Sequence, residues 1–600
     1  MSETCQRRSE EFLQISSQFK LGVLVTESSH PVTANLSETA RQDTAAALKL
    51  LVETDRDVLA TFRQFVESGR AETVAAVVRD AIQKNGRIFF TGCGSTGRLS
   101  ILLDSIWRDF CKRRHSAWET RTMSVMAGGD FALIKSVEGF EDYTDFGKKQ
   151  MRDLEVASRD VVFAITEGGE TSFVIGTAWA GIEAGAKVYF VYNNPDDILC
   201  EHVQRSREVI QDSRIEKINL TTGPMAITGS TRMQATSIQL CVMLSILEIA
   251  MRELFGEKTE GVAQEFLAAV EQMHAGLLAP DFLGKLAQLV EVEEKIYRAG
   301  KKNNYYANRL GIDVLTDTTE RSPTYCTPPF RKFDDTTATE SWAFLFIPEP
   351  HASEAWENIL KRQPRCVDWS EEAIRELVSP DKFARTVETV GKINARELMR
   401  FHIGLDGLPN RPHAGGGGAV VVLGERELGD WKRYWQHCIE YAYVNGDETA
   451  VVFVGPEDGF AELFNEVNKK DTAKLLLHVP VPVTGLLLDG VTRVAAKLVM
   501  NALSTCTMVR LGRVMGNYMI WVVPSNLKLI DRATRYITKL TGLNYEAANA
   551  LLFEIVEYVE PRMKSDQAYP PVVGMAVLRA RENLTNEQAD VRLKTAGMKG

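Results

Sequence analysis

Arg87–Ser100 reads RIFFTGCGSTGRLS. Ile88-Phe89-Phe90 is an apolar run of strand-forming residues. Gly92-Cys93-Gly94-Ser95-Thr96-Gly97 follows as a glycine loop, and Leu99-Ser100-Ile101-Leu102-Leu103 resumes as a helical pattern. The stretch predicts strand, tight loop and helix. A helix N-terminus carries unpaired N–H groups and a partial positive charge, which suits a phosphate. Glycine lets backbone approach a ligand closely, and Ser95 and Thr96 add hydroxyl donors. Gly92, Gly94 and Gly97 also fit the dinucleotide fingerprint G-x-G-x-x-G. Three readings stand at this point: a packing turn, a dinucleotide site and a phosphosugar site.

Outward from this loop the chain alternates. Strands over 88–91, 121–127, 161–165, 187–192 and 217–220 are separated by helices over 98–112, 143–157 and 172–184, and a long helix covers 232–254. That alternation predicts a parallel sheet covered on both faces, with ligands beyond the carboxyl ends of its strands. Residues 1–36 read as an arm and 37–85 as helices. Amphipathic helices over 256–290 lead to a second α/β segment, with strands expected near 295–299, 341–347, 419–423, 449–454 and 475–479. Its counterpart of the opening stretch, Arg298–Asn304, has no Gly-x-x-x-Gly loop, and Ala414–Gly418 reads as a loop tip. Helices return over 485–560, and 561–600 is charged chain with a last helix near 585–596.

A chain of 600 residues is too long for one core. Its net charge of −10 argues against a nucleic-acid binder. The N-terminus lacks the apolar core of a signal peptide, and no apolar run is long enough to span a membrane. The nine cysteines are dispersed without a C-x-x-C pair, which fits reduced thiols in a cytoplasmic protein. Neither a metal nor a cofactor is expected.

Four loops follow strands of the first segment: Gly92–Gly97; Ala127–Asp130 with Val137–Asp142; Ile165–Ser172; and Thr222–Arg232. Two loops rich in Gly, Ser and Thr that both open helices suit one phosphate clamped from two sides. A dinucleotide site would want an acid at the end of the second strand, where Ala127-Gly128-Gly129 stands instead. The dinucleotide reading falls.

The chain resembles the sugar isomerase (SIS) domain family that joins bacterial N-acetylmuramic acid 6-phosphate etherases and the glucokinase regulatory protein. The resemblance is carried by Thr26-Glu27, Pro31-Val32-Thr33, Gly92–Arg98, Ala127–Asp130, Glu138–Asp142 and Thr228–Met233. Near the C-terminus it is carried by Asn501–Thr505, Gly512–Asn517 and Ser525–Leu529. About 235 residues separate the two matched blocks; the layout resembles the regulatory protein, with two SIS domains and a helical cap. The implied fold is α/β: two three-layer αβα domains with flavodoxin-like parallel sheets. The implied boundaries are an arm (1–36), a first SIS domain (37–255), linker helices with a degenerate second SIS domain (256–490) and a cap (491–600).

The resemblance implies a phosphorylated-sugar ligand, such as fructose 6-phosphate or fructose 1-phosphate. Gly94, Ser95, Thr96, Gly97, Ser230 and Thr231 would hold the phosphate. Glu141 would read hydroxyls, with Thr166, Gly168, Thr171 and Lys528 completing the pocket. Etherase chemistry needs a second glutamate eight residues after Arg98, where Ile106 stands. The expectation is therefore a ligand-controlled regulator of a partner such as a sugar kinase, acting as a monomer or weak dimer in the cytoplasm, or in the nucleus if a kinase is regulated. The alternatives are an etherase using Glu141 and a relocated acid such as Glu167 or Glu170, and a phosphosugar isomerase.

Overall fold

Unbroken apolar runs become fully buried parallel strands. In the computed structural model, which describes residues 3–16, 21–137, 139–411, 415–563 and 569–599, five of them form one parallel sheet. They are β1 (Ile88–Gly92), β2 (Thr122–Met126), β3 (Val161–Ile165), β4 (Lys187–Tyr192) and β5 (Ile215–Asn219), in the order β2-β1-β3-β4-β5. The order puts the loop after β1 beside the loop after β3, at the carboxyl edge where ligands collect. The Ser95–Arg113 helix leaves β1 three residues earlier than expected, so Gly97 lies inside it. A Cβ on Gly97 would stand 2.5 Å from the Met126 side chain; only glycine lets this helix lie against β2.

A second parallel sheet repeats the connectivity. Its strands are β6 (Asn303–Tyr306), β7 (Ala343–Phe346), β8 (Gly418–Gly424), β9 (Glu448–Gly455) and β10 (Leu475–Pro480), in the order β7-β6-β8-β9-β10. The strand expected over 295–299 is instead the end of the Pro280–Arg298 helix. Ile296 and Tyr297 continue a buried face that runs through Leu286, Leu289, Val290 and Glu293 at helical spacing. The true first strand, Asn-Asn-Tyr-Tyr, is polar yet buried. Asn303 and Tyr305 both donate to Glu293 Oε1 (3.0 and 2.8 Å), and Arg411 donates to the Asn304 amide oxygen (2.8 Å). The first-strand loop of this domain is therefore Ala307–Leu310, not Arg298–Asn304. Glu138 and Ala414, both named above, lie outside the described residues.

The cap contains helices Leu527–Thr541, Tyr545–Val559 and Val572–Glu582. The last stands where only charged chain was expected, and its Val572–Leu578 half is buried. The arm begins with helix Glu3–Ile15, which docks on the cap: Ser9 Oγ donates to Asn549 (2.7 Å), and Phe12 packs on Phe553. No helix among the described residues is long and apolar enough to cross a membrane.

The two sheets are joined by buried charge. Arg362, from the second domain, donates to both Asp130 oxygens (2.6 and 3.0 Å) and to Asp104 (3.1 Å); Arg365 also reaches Asp104 (2.8 Å). Asp130, read from sequence as part of a ligand-facing loop, is thus a domain clamp. Its neighbour Glu141 sits on a turn whose Phe140 stacks on Trp369 of the second domain (5.7 Å). Removing the arginine takes away the cation of buried Asp130, while Asp104 keeps Arg365 and Arg108, so Arg362→Ala should cost about 3–5 kcal/mol in urea denaturation. Arg362→Lys should recover part of that loss.

Candidate functional site

Gly94 takes φ +57° and ψ −123°, a conformation open essentially to glycine, and turns the chain from β1 into the helix. The first helical hydrogen bond runs from Arg98 N–H to Gly94 O (3.0 Å), which leaves the N–H groups of Ser95, Thr96 and Gly97 ahead of the ladder. The Thr96 hydroxyl, 1 % exposed, accepts from Cys93 N–H and donates to Cys93 O. It locks the loop, so its hydroxyl is already committed. Ser230 and Thr231 lie in the loop leading into the Gln234–Phe255 helix.

The third loop is braced internally. Thr166 Oγ1 lies 3.2 Å from Thr171 Oγ1 and accepts from Gly169 N–H (3.3 Å), while Asn194 donates to Gly168 O (3.0 Å). Thr166 is fully buried, so it shapes the loop from behind. The Thr231 hydroxyl of the fourth loop lowers the Glu167 carboxyl slightly against its burial.

Lys528 comes from the first turn of the Leu527–Thr541 cap helix and donates to Glu170 Oε1 at 2.5 Å; Arg205 donates to Oε2 at 2.6 Å. Burial alone would raise the Glu170 carboxyl, but Lys528 and then Arg205 outweigh it and hold it down at about 2. One and two turns along the same helix, Arg532 and Arg535 grip Glu27 of the arm (2.5 and 2.9 Å). Against its burial, they likewise hold Glu27 down at about 2. Thr26 exchanges two hydrogen bonds with Asn194, and Asn517 of the cap accepts from Ser29 and Thr228. Arm, cap and loops thus meet around one cleft.

Glu141 and Glu167 behave oppositely. Glu141 faces the Cys93 thiol (Sγ to Oε2, 3.9 Å). Burial raises its carboxyl, Lys528 offsets only part of this, and Asp142 and Glu170 raise it further. Burial pushes the Glu167 carboxyl up to about 7, with Glu320 of the second domain adding to the rise. Neither forms an ion pair among the described residues.

Glu320 is the residue that sequence reasoning missed. Ile106 lies fourteen residues beyond the end of β1, and Glu320 lies fourteen beyond the end of β6. Ile106 is 3 % exposed in the core, about 16 Å along its helix from Ser95 at 1.5 Å per residue. An acid there would not reach this cleft. The counterpart acid does: Glu320, on the Gly311–Tyr325 helix, accepts from Arg98 at 2.5 Å and lies near Glu167. Counting from the correct first strand finds it. Arg98 is accordingly tied to the second domain, with Thr319 a further partner (3.2 Å).

The second domain's own cleft is filled from within. Glu427 accepts from Arg309 N–H (2.5 Å), in the loop after β6, and from Gly424 N–H (2.7 Å), at the end of β8. A side-chain carboxylate stands where an anion would bridge those loops. Among the described residues no group of His, Cys, Asp and Glu is arranged to hold a metal ion.

Two repeated parallel sheets, the first with an anion-receptive helix start facing a polar cleft, define a sugar-phosphate-binding protein of SIS type. Residues 70–180 match the family described as glucokinase regulatory protein N-terminal SIS domain. The chain is 31% identical over 235 residues to N-acetylmuramic acid 6-phosphate etherases of Yersinia pestis and Yersinia pseudotuberculosis, covering 39% of this chain and 72% of each relative. A tagatose-6-phosphate ketose/aldose isomerase from Escherichia coli aligns over 78% of this chain and 94% of its own, with TM-score 0.37 and 9% identity. The chain belongs to the SIS-domain family of these etherases and the regulatory protein.

Glu27 and Glu170 have folded-state values near 2, against an ordinary 4.5. Their stabilisation is complete above about pH 4.5 and is lost as pH falls through 2, up to about 3 kcal/mol for each. Hydrogen exchange in the Leu527–Thr541 helix should be flat between pH 7 and 5, after correction for intrinsic rates, and rise sharply below 4.

Proposed function

We propose that this chain is a regulator controlled by a sugar phosphate. The phosphate sits between the N–H groups of Ser95–Gly97 and the Ser230–Thr231 loop. Glu141 reads hydroxyls, and Gly94, Thr166, Gly168 and Thr171 set the shape of the pocket. One observation carries the reading: Lys528, a cap residue, is paired with Glu170, a ligand-loop residue. A ligand oxygen that draws Lys528 from Glu170 changes how the cap is held. Such a ligand shifts the molecule only by its difference in affinity for the two arrangements. A partner docked across domains and cap would read that difference. By resemblance to the regulatory protein, the partner is a sugar kinase.

Calorimetry with fructose 6-phosphate, fructose 1-phosphate and N-acetylmuramic acid 6-phosphate tests this. At least one should bind at one equivalent per chain, since Glu427 closes the second cleft. Ser230→Ala should weaken binding by about 1 kcal/mol and Lys528→Ala by about 2 kcal/mol. Absence of binding by all three sinks the reading.

The second reading is a carbon–oxygen lyase, an etherase like the Yersinia relatives. It is favoured by Glu141 and Glu167, whose carboxyls lie closer to neutral pH than usual in the same cleft, with Glu320 alongside. Positioned acids and bases of that kind contribute about 10²–10⁴-fold. Glu170 drops out as the relocated acid, because its carboxyl stays ionised and paired. Lactate release from N-acetylmuramic acid 6-phosphate that Glu141→Gln abolishes would replace the regulator reading with this one.

A further inference from the structure

Lys497 lies behind the fourth loop, on the Gly490–Arg510 helix. Its Nζ donates to Arg232 O (2.7 Å) and to Asn501 Oδ1 (2.9 Å), and it forms no ion pair among the described residues. Arg232 is the residue after Thr231, and the Thr236 hydroxyl donates to the same carbonyl (2.7 Å). The ammonium is therefore held where the Ser230–Thr231 loop turns into the Gln234–Phe255 helix. The carboxylates facing it are engaged elsewhere. Asp317 accepts from Ser504 (2.7 Å) and pairs with Arg321 (3.0 Å) and Arg232 (3.4 Å), and Glu320 pairs with Arg98 (2.5 Å). Burial raises the carboxyl of Asp55, the remaining acid, to about 7. Arg232 faces Lys497 as a like charge, and its Nε and Nη1 are buried without a hydrogen-bond partner. Two cations crowded behind one Ser/Thr loop, one with buried donors unused, leave room for an anion's charge.

We propose that Lys497 is a positioning residue for the phosphosugar site: it fixes the Ser230–Thr231 loop through the Arg232 carbonyl and supplies the positive charge against which a phosphate is held there. This rests on the site proposed above. The start of a helix offers an anion roughly half a unit charge. A whole ammonium behind the same loop, away from bulk water, adds to that field. Its contribution requires a protonated amine. Burial lowers the Lys497 amine to about 8, with Arg232 adding to the fall against Asp55, Asp317 and Glu320. A bound phosphate favours the charged amine, so binding takes up a proton where the free amine is losing one. Affinity then falls as pH rises through 8.

The test is calorimetry with fructose 6-phosphate, fructose 1-phosphate and N-acetylmuramic acid 6-phosphate at pH 7 and pH 9, each in two buffers of different ionisation enthalpy. A phosphate whose second pKa is about 6 is mostly doubly charged at both. Binding should be about fivefold or more weaker at pH 9 than at pH 7, and should take up more protons at pH 9. Glu167, with its carboxyl at about 7, gives the opposite order of uptake. Lys497→Met should weaken binding about tenfold at pH 7, the worth of one charge-assisted hydrogen bond, and remove both pH effects. Lys497→Arg, charged at either pH, should bind at pH 9 within about threefold of its pH 7 affinity. Weaker binding in Lys497→Met with the pH effects intact marks a merely structural role and overturns the inference. So does wild-type binding that takes up no more protons at pH 9 than at pH 7, a measurement that needs no variant to fold. Both leave the phosphosugar site standing. Absence of wild-type binding by all three ligands at pH 7 overturns that site, and the inference with it.

Discussion

A carboxylate taken out of water must find a cation or hydrogen-bond donors, or keep a proton. This cleft shows different outcomes side by side. Glu27 and Glu170 find cations, and their principal partners, Arg532, Arg535 and Lys528, all come from one cap helix. Burying those acids is what brings the cap onto the first domain. Glu141 and Glu167 find no such partner and hold their protons more tightly. Arm, cap and ligand loops are thus arranged by where positive charge is available, and the acids left without it mark the end of the cleft where a ligand's own chemistry can act.

The same rule separates the two repeated domains. In the second, Glu427 satisfies the loops after β6 and β8 by accepting two backbone N–H bonds, and burial holds its carboxyl up at about 7. That domain fills the gap between its loops with its own side chain. In exchange its first helix sends Glu320 into the neighbouring cleft, while the equivalent position on the first domain's helix, Ile106, is apolar core. The domains are alike in topology and complementary in chemistry: the second domain contributes Glu320, which holds Arg98 of the first domain's helix start.

Much of the fold was legible because buried parallel strands read as uninterrupted apolar runs. Val161–Ile165 and Lys187–Tyr192 match residue for residue. β6 was not legible, because its Asn and Tyr side chains are buried by virtue of Glu293 on the preceding helix and Arg411, 107 residues downstream of Asn304. That one slip displaced the count that leads to Glu320. The phosphate loops declared themselves through glycine, serine and threonine at helix starts. Lys528 did not: a lysine in a first helical turn has no local signal for a partner 358 residues away, and only the family resemblance placed it. Asp130 shows the converse. It sits in a loop that looks ligand-facing, and its arginine partner lies 232 residues downstream.

The cap helix is held at two places of unequal strength. Arg532 and Arg535 are 14 and 20 % exposed at the side chain, and their shared carboxylate, Glu27, is 5 % exposed. Breaking both contacts strands Glu27 in the interior, a loss of about 3–5 kcal/mol. Lys528 is 34 % exposed, and Glu170 keeps Arg205 when the lysine leaves, so no buried carboxylate is orphaned. Exposed partners of this kind exchange for about 1 kcal/mol. The first turn of the helix can therefore trade Glu170 for another anion while the next two turns stay fixed on Glu27. A helix pinned at one end and exchangeable at the other can pass a change in the cleft on to the rest of the cap, because the exchangeable residue is the one that faces the ligand loops.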